Sequence, residues 1–169
     1  MPELVPREEA IRLLQSDRRS TEAALAKLST RQIAASGLGG GTWSPKDLLG
    51  HLESWEEHAL DALDAWSRGE PAPIDRALRE IGLTRVNAGE VERKGSRSVA
   101  KALSSWSATH EELLSAIRSI PGAAWGAPPT RRSRTALGVR LGRILAGPDA
   151  LFRHDQAHLQ DLRSFGDSG

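Results

Sequence analysis

The stretch WSPKDLLGHLESWEEHALDALDAW, residues 43–66, constrains the fold more than any other part of the chain. Leu48, Leu52, Trp55, Ala59, Ala62 and Trp66 recur at steps of three and four residues, the period at which side chains gather on one side of an α-helix. Its start is marked as well: Ser44 is a strong N-cap, Pro45 suits the first helical position, and Asp47 lies in the first turn. Gly69 closes the helix, and Pro71 and Pro73 keep it closed. An apolar side this broad must be covered, and the rest of the chain offers helices to cover it. No segment alternates over strand length with β-branched residues.

Three further helical elements follow from the same period. The first spans roughly residues 7–28, with Ile11, Leu14, Leu25 and Leu28 on one apolar side and Leu13 and Ala24 close to it. It ends before ASGLGGG, residues 35–41, which is too glycine-rich to stay helical. Another starts near Leu83, breaks or bends at KGSRS and resumes from about Ser98 to Ile120, with Leu103, Trp106, His110, Leu113, Leu114 and Ile117 as its stripe. Pro121 and Gly122 stop it, and Ala123–Thr135 reads as a long connection containing the basic run RRSR. The last helix is expected after Gly147-Pro148, running to about Phe165. The expectation is an all-α chain, a four-helix bundle, forming one domain over residues 1–169.

Composition removes several function classes. Lys and Arg number 23 against 22 Asp and Glu, a net charge of +1, which gives no electrostatic reason to expect nucleic acid or an anionic membrane as partner. No apolar run reaches membrane-spanning length and the N-terminus lacks a signal-peptide pattern, so a cytoplasmic protein is expected. With no cysteine, the chain has no disulfides, thiolate zinc site or thiol nucleophile of its own. Any thiol chemistry must use a thiol brought in by a small molecule.

The chemistry then falls to histidine. On the last helix Leu151, His154, His158, Leu162 and Phe165 share one face, so two of the five histidines occupy positions where core residues belong. His51 lies on the apolar side of the second helix, beside Leu48 and Trp55. Bundles build metal sites from side chains that project inward from facing helices. Pairing these two helices would bring together three neutral imidazoles that leave coordination positions open, a pattern suited to a divalent cation such as zinc, nickel, iron or manganese. Asp47, Glu53, Asp155 and Asp161 are the nearby carboxylates available to orient the rings. The alternative is that each is a core histidine bonded to a backbone carbonyl. His110 has no histidine partner at helical spacing and reads as a buried, satisfied core residue; His58 reads as a partly solvated edge. Trp55, Trp66 and Trp106 read as packing residues, Trp43 as a staple at the helix start, and RRSR as a solvated loop.

WSPKDLLGHLESWE followed far along the chain by HDQAHLQDL resembles the DinB-like superfamily of four-helix bundles, over most of the sequence. The resemblance implies a divalent-metal site at His51, His154 and His158. The first motif, the GEPAP turn and Asn87 look most like the DfsB/ClbS group, which includes self-resistance proteins that open strained electrophilic rings on DNA-alkylating natural products. Other branches are similar at the histidines: thiol transferases of the YfiT kind and mycothiol-dependent maleylpyruvate isomerases, in which the metal is thought to activate a low-molecular-weight thiol. The implied activity is attack by water or such a thiol on an electrophilic small molecule, by a hydrolase or transferase of the detoxification type, with a metal-free self-resistance protein or a non-catalytic metalloprotein as alternatives. Family members are often dimers, so a homodimer is possible. The DfsB-like branch often carries tyrosine straight after the first histidine of the final pair; here that residue is Asp155, and the chain has no tyrosine. No catalytic residue beyond the three histidines is carried over.

Overall fold

In a computed structural model, which describes residues 2–167, the described residues form helices, turns and loops without a strand. The elements are α1 (Arg7–Leu25), α2 (Thr30–Ala34), a 3-10 turn (Leu38–Gly40), α3 (Pro45–Ser67), α4 (Pro73–Lys94), α5 (Val99–Ser119), α6 (Gly122–Trp125), α7 (Leu137–Ile144) and α8 (His154–Asp167). The bundle is made by α1, α3, α5 and α8: α3 packs along α5, α1 along α8 and α5, and α3 also meets α8. A further long helix, α4, lies against α3. None of these helices is long and apolar enough to cross a membrane.

The start of α3 follows from its sequence. The Ser44 side chain accepts from the Asp47 N–H while the Asp47 carboxylate accepts from the Ser44 N–H, a reciprocal cap that satisfies two otherwise orphaned donors. The expected stripe is the core: Leu48, Leu52, Trp55, Ala59, Ala62 and Trp66 are all buried. One apolar cluster gathers Ile11, Leu14, Trp55, Trp66, Leu113, Leu114, Trp125 and Phe152. The other gathers Leu25, Leu28, Leu48, Leu52, Trp106, Leu159 and Leu162.

Several boundaries differ from the sequence reading: α1 ends at Leu25, the short helix α2 precedes the glycine-rich run, and the chain breaks between α4 and α5 at KGSRS. The third element begins at Pro73 and not near Leu83: Pro73 is the first residue of α4, and Gly82, at φ 79° and ψ 162°, breaks its period midway. Only glycine adopts that conformation readily, so the apolar pattern registers only after the kink. The Ala123–Thr135 connection contains part of α6, and beyond it a further short helix, α7, appears. Finally, Pro148 does not start the last helix. The chain turns instead through Gly147–Phe152, and α8 begins at His154. Phe152 closes that turn at φ 60°, a left-handed conformation unusual for a bulky residue. Its ring is buried and stacked on Trp125, 5.9 Å between centroids, which holds the turn in place.

Candidate metal centre

Two local arrangements aim the histidines. His51 is in the second turn of α3, on its buried side, because Ser44 and Pro45 fix where that helix starts. His154 and His158 are one turn apart on α8, whose entry is tied to α7 by the His154 N–H donating to the Leu145 carbonyl at 3.1 Å. The seat of α7 depends on Gly142: a Cβ there would lie 2.7 Å from the Phe152 ring, closer than real contacts allow. These constraints bring α7, the turn and the start of α8 together beside α3.

The three rings converge. His51 Nε2 and His154 Nε2 are 3.0 Å apart, ring centroids are 4.8 Å apart for His51 and His154 and 5.1 Å for each pair that includes His158, and one ligating nitrogen from each ring lies within 4.8 Å of the others. Burial is the main force on their protonation. It pushes the His51 pKa down to about 3, helped by His158, and the His154 pKa well below its ordinary value, helped by His51 and His158. Burial also lowers that of His158, against the opposing pull of Asp161 and Asp155. Burial thus favours the neutral form of all three, in which each ring carries one lone pair.

That donor set fits a divalent cation. With metal–nitrogen bonds of about 2.0–2.1 Å, two ligands of one ion lie at most about 4.2 Å apart, so the widest spread here closes by side-chain motion of about half an ångström. Two neutral imidazoles facing each other through Nε2 can share only one hydrogen bond, whereas a cation uses both lone pairs. Among the described residues, this is the group of three or more His, Cys, Asp or Glu side chains with metal-holding geometry.

Three of the four carboxylates expected to orient these rings are engaged elsewhere, and the fourth, Asp161, acts on His158 through its charge. Asp47 belongs to the α3 cap. Asp155 accepts from Arg18 at 3.0 Å, and Asp161 stands against Gly39, where a Cβ would meet its Oδ2 at 2.9 Å. Glu53 is buried among Lys94, Arg97, Ser105 and Thr109. The buried Nδ1 of His51 has no hydrogen-bond partner in the structure. The ring of Trp43, read as a helix-start staple, lies 5.1 Å from that of His51.

The histidines open onto a cleft of about 460 Å³, lined by His51, His154, His158, Trp55, Asn87 and Arg143 together with Leu83 and Ile144. Trp55 is fixed by its indole N–H donating to Asn87 Oδ1 at 3.0 Å. Trp55, Leu83, Arg143 and Ile144 also line a second lobe of about 380 Å³ that extends to Trp66 and Arg140.

Sequence reasoning missed a second polar assembly below this cleft. Arg18 is buried and gives one nitrogen to Glu56 at 2.8 Å and another to Asp155 at 3.0 Å, and its guanidinium stacks on Trp106 at 4.0 Å. His110 Nδ1 lies 2.7 Å from the same Glu56 oxygen. Arg153 forms a fork with Asp17 at 2.6 and 3.1 Å. A signal existed: Ile11, Leu14, Arg18, Thr21 and Leu25 continue one helical stripe, so Arg18 is a charge on an apolar face. His110 is buried, as expected, but only partly satisfied: its Nδ1 meets the Glu56 carboxylate, while its buried Nε2 has no hydrogen-bond partner. His58 is half-buried, edge-on to Trp55 at 5.3 Å. The arginines of RRSR are exposed.

Fold and site together define a helical bundle carrying a three-histidine cluster at the mouth of a cleft. The chain belongs to the DinB superfamily, whose sequence model matches residues 13–162. It is similar in structure to the colibactin self-resistance protein ClbS, solved in complex with a dsDNA, with a TM-score of 0.66 and 15% sequence identity, covering 96% of this chain and 92% of that one. No curated protein matches it significantly. The ClbS complex corrects one expectation above: a near-neutral net charge does not exclude nucleic acid as a partner. Net charge averages over the surface, and binding responds to how charge is distributed.

Proposed function

We propose that His51, His154 and His158 hold a divalent cation and that the protein is a metal-dependent enzyme acting on an electrophilic small molecule. The observation that carries this reading is the convergence of three neutral imidazoles on the wall of an open cleft. When bound, such a cation lowers the pKa of a coordinated water or thiol and so supplies a nucleophile near neutral pH. The chain's own part is to provide three uncharged donors, to keep them desolvated between α3 and α8, and to offer Trp55, Leu83 and Ile144 as an apolar wall for the electrophile. Having neither cysteine nor tyrosine, it brings no thiolate or phenolate to the reaction.

The test is the consumption of a generic electrophile, monobromobimane, by water or by a panel of low-molecular-weight thiols, with chelated and with zinc-, nickel-, iron- or manganese-reloaded protein. Acceleration that disappears on chelation and returns with one metal supports the reading; identical rates with and without protein overturn it. The dsDNA in the ClbS complex favours a second reading, a self-resistance protein that works at DNA without metal. Retention of a labelled duplex by chelated protein, measured by fluorescence anisotropy, separates the two.

A further inference from the structure

Arg143 differs from the arginine nearest to it on α7. Arg140, three residues earlier, is paired with Asp75 at 2.7 Å and lies over the Trp66 ring at 5.0 Å, so its charge is already matched. Arg143 lines both lobes of the cleft, is exposed, and makes no ion pair or side-chain hydrogen bond in the structure. The lobe that contains the three histidines has no carboxylate in its lining, and the adjoining lobe has only Asp75, which Arg140 occupies. Arg143 therefore places an unpaired guanidinium in the cleft lining. Low-dielectric walls focus such a charge toward whatever enters.

The apolar part of the lining is exposed in the same place. Gly82 kinks α4 and leaves Leu83 55% exposed, although its side chain lines both lobes. Trp55 and Ile144 continue that surface through both lobes, and Trp66 extends it in the second. A large apolar side chain held in the open beside an unpaired guanidinium is complementary to a molecule with both characters.

We propose that this cleft selects small molecules that carry an anionic group, a carboxylate, sulfonate or phosphate, on an apolar body, with Arg143 binding the anion and Leu83, Trp55 and Ile144 receiving the body. The proposal rests on the reading of this cleft as the substrate site and names the class of substrate it takes. The guanidinium offers parallel donors that match a carboxylate or phosphate fork, which an ammonium cannot do. The competing role for Arg143 is structural, since it lies in the last turn of α7, where a cation favours the negative end of the helix dipole. A structural role affects stability and leaves ligand choice untouched.

The experiment compares 1-naphthoate with 1-naphthamide, which share a shape and differ in charge. Binding is followed by quenching of tryptophan fluorescence in chelated and in zinc-loaded protein, with zinc content measured on the same samples. Chelated wild-type protein should bind the naphthoate about tenfold more tightly, the scale of one charge-assisted hydrogen-bonded pair. Arg143→Gln should erase that preference while leaving naphthamide affinity and melting temperature unchanged, and Arg143→Lys should keep part of it. No preference in the wild type, or a preference that survives Arg143→Gln, overturns the proposal. The two readings fail separately: wild-type protein that retains zinc but shows no preference counts against the anion site alone, and wild-type protein that shows the preference but takes up no zinc counts against the metal alone.

Discussion

Two histidine sites lie close together in this bundle and have opposite surroundings. At His110 the ring faces Glu56, which in turn meets Arg18, and Arg18 also holds Asp155, so every charge has a partner and the assembly is closed inside the core. At His51, His154 and His158 the rings face one another, no carboxylate bonds them, and they border a cleft. A void of about 10 Å³, lined by residues of both assemblies including His110 and His154, lies between them; at that size it has room for about one water. Both sites are built from histidine, with His110 and His51 buried and His154 and His158 half-buried. The partners differ: a histidine set against an acid is locked into the fold, while histidines set against one another keep lone pairs for a cation.

The largest expected effect breaks the closed assembly. Arg18→Ala strands Glu56 and Asp155 without their cation, and removing one partner of a buried ion pair costs about 3–5 kcal/mol. Urea unfolding should show that loss, whereas His154→Ala in chelated protein should lose much less. Equal costs would erase the distinction between the sites.

Metal removal comes next. At a free metal concentration about a hundredfold above Kd, binding adds about 2.7 kcal/mol, which for a chain of this size is roughly 5–10 °C in melting temperature. Chelation should remove that increment in wild type and in His110→Gln, and have no effect in His154→Ala.

Acid should then distinguish the sites in metal-free protein. The folded-state pKa of His51 is depressed to about 3, below the ordinary value near 6.5 of an unfolded chain. Between those values the unfolded state binds the extra proton, so this stability is complete above pH 6.5 and is lost as pH falls. At pH 5 the loss from His51 alone is about 2 kcal/mol. His51→Gln should flatten that part of the stability–pH curve; an unchanged slope would mean that the ring is not held neutral by burial.

The remaining effects concern the cleft wall, and the smallest of them is at Leu83. Gly82→Ala meets no neighbouring atom, since nothing lies within 4 Å of the added Cβ. Its cost is purely conformational, about 1–3 kcal/mol, and it should come with weaker naphthamide binding as the kink that exposes Leu83 relaxes. Leu83→Ser should weaken binding with stability changed by less than about 0.5 kcal/mol.

The legible parts of the molecule are those set by local rules. The Ser44–Asp47 cap, the α3 stripe and the HxxxH spacing are properties of single helices, and each has its place in the structure. The kink at Gly82 and the short α7 were not legible: glycine permits a positive φ without marking it in the sequence, and the close approach at Gly142 depends on what packs alongside. The turn at Phe152 escaped for the same reason: a bulky residue takes φ 60° only when tertiary packing holds it. Arg18, Glu56 and His110 come from three different helices, so sequence shows each as an isolated polar residue on an apolar stripe. Their pairing follows only from how α1, α3 and α5 dock.

The measurement that bears most directly on the contrast between the two sites is metal content by plasma mass spectrometry. It would be made on untagged protein purified without chelators, for wild type, His154→Ala and His110→Gln, each also after reconstitution. The account predicts close to one divalent ion per chain in wild type and in His110→Gln, and none in His154→Ala. A wild type that holds no metal even after reconstitution, or a His154→Ala variant that keeps its full complement, would contradict it.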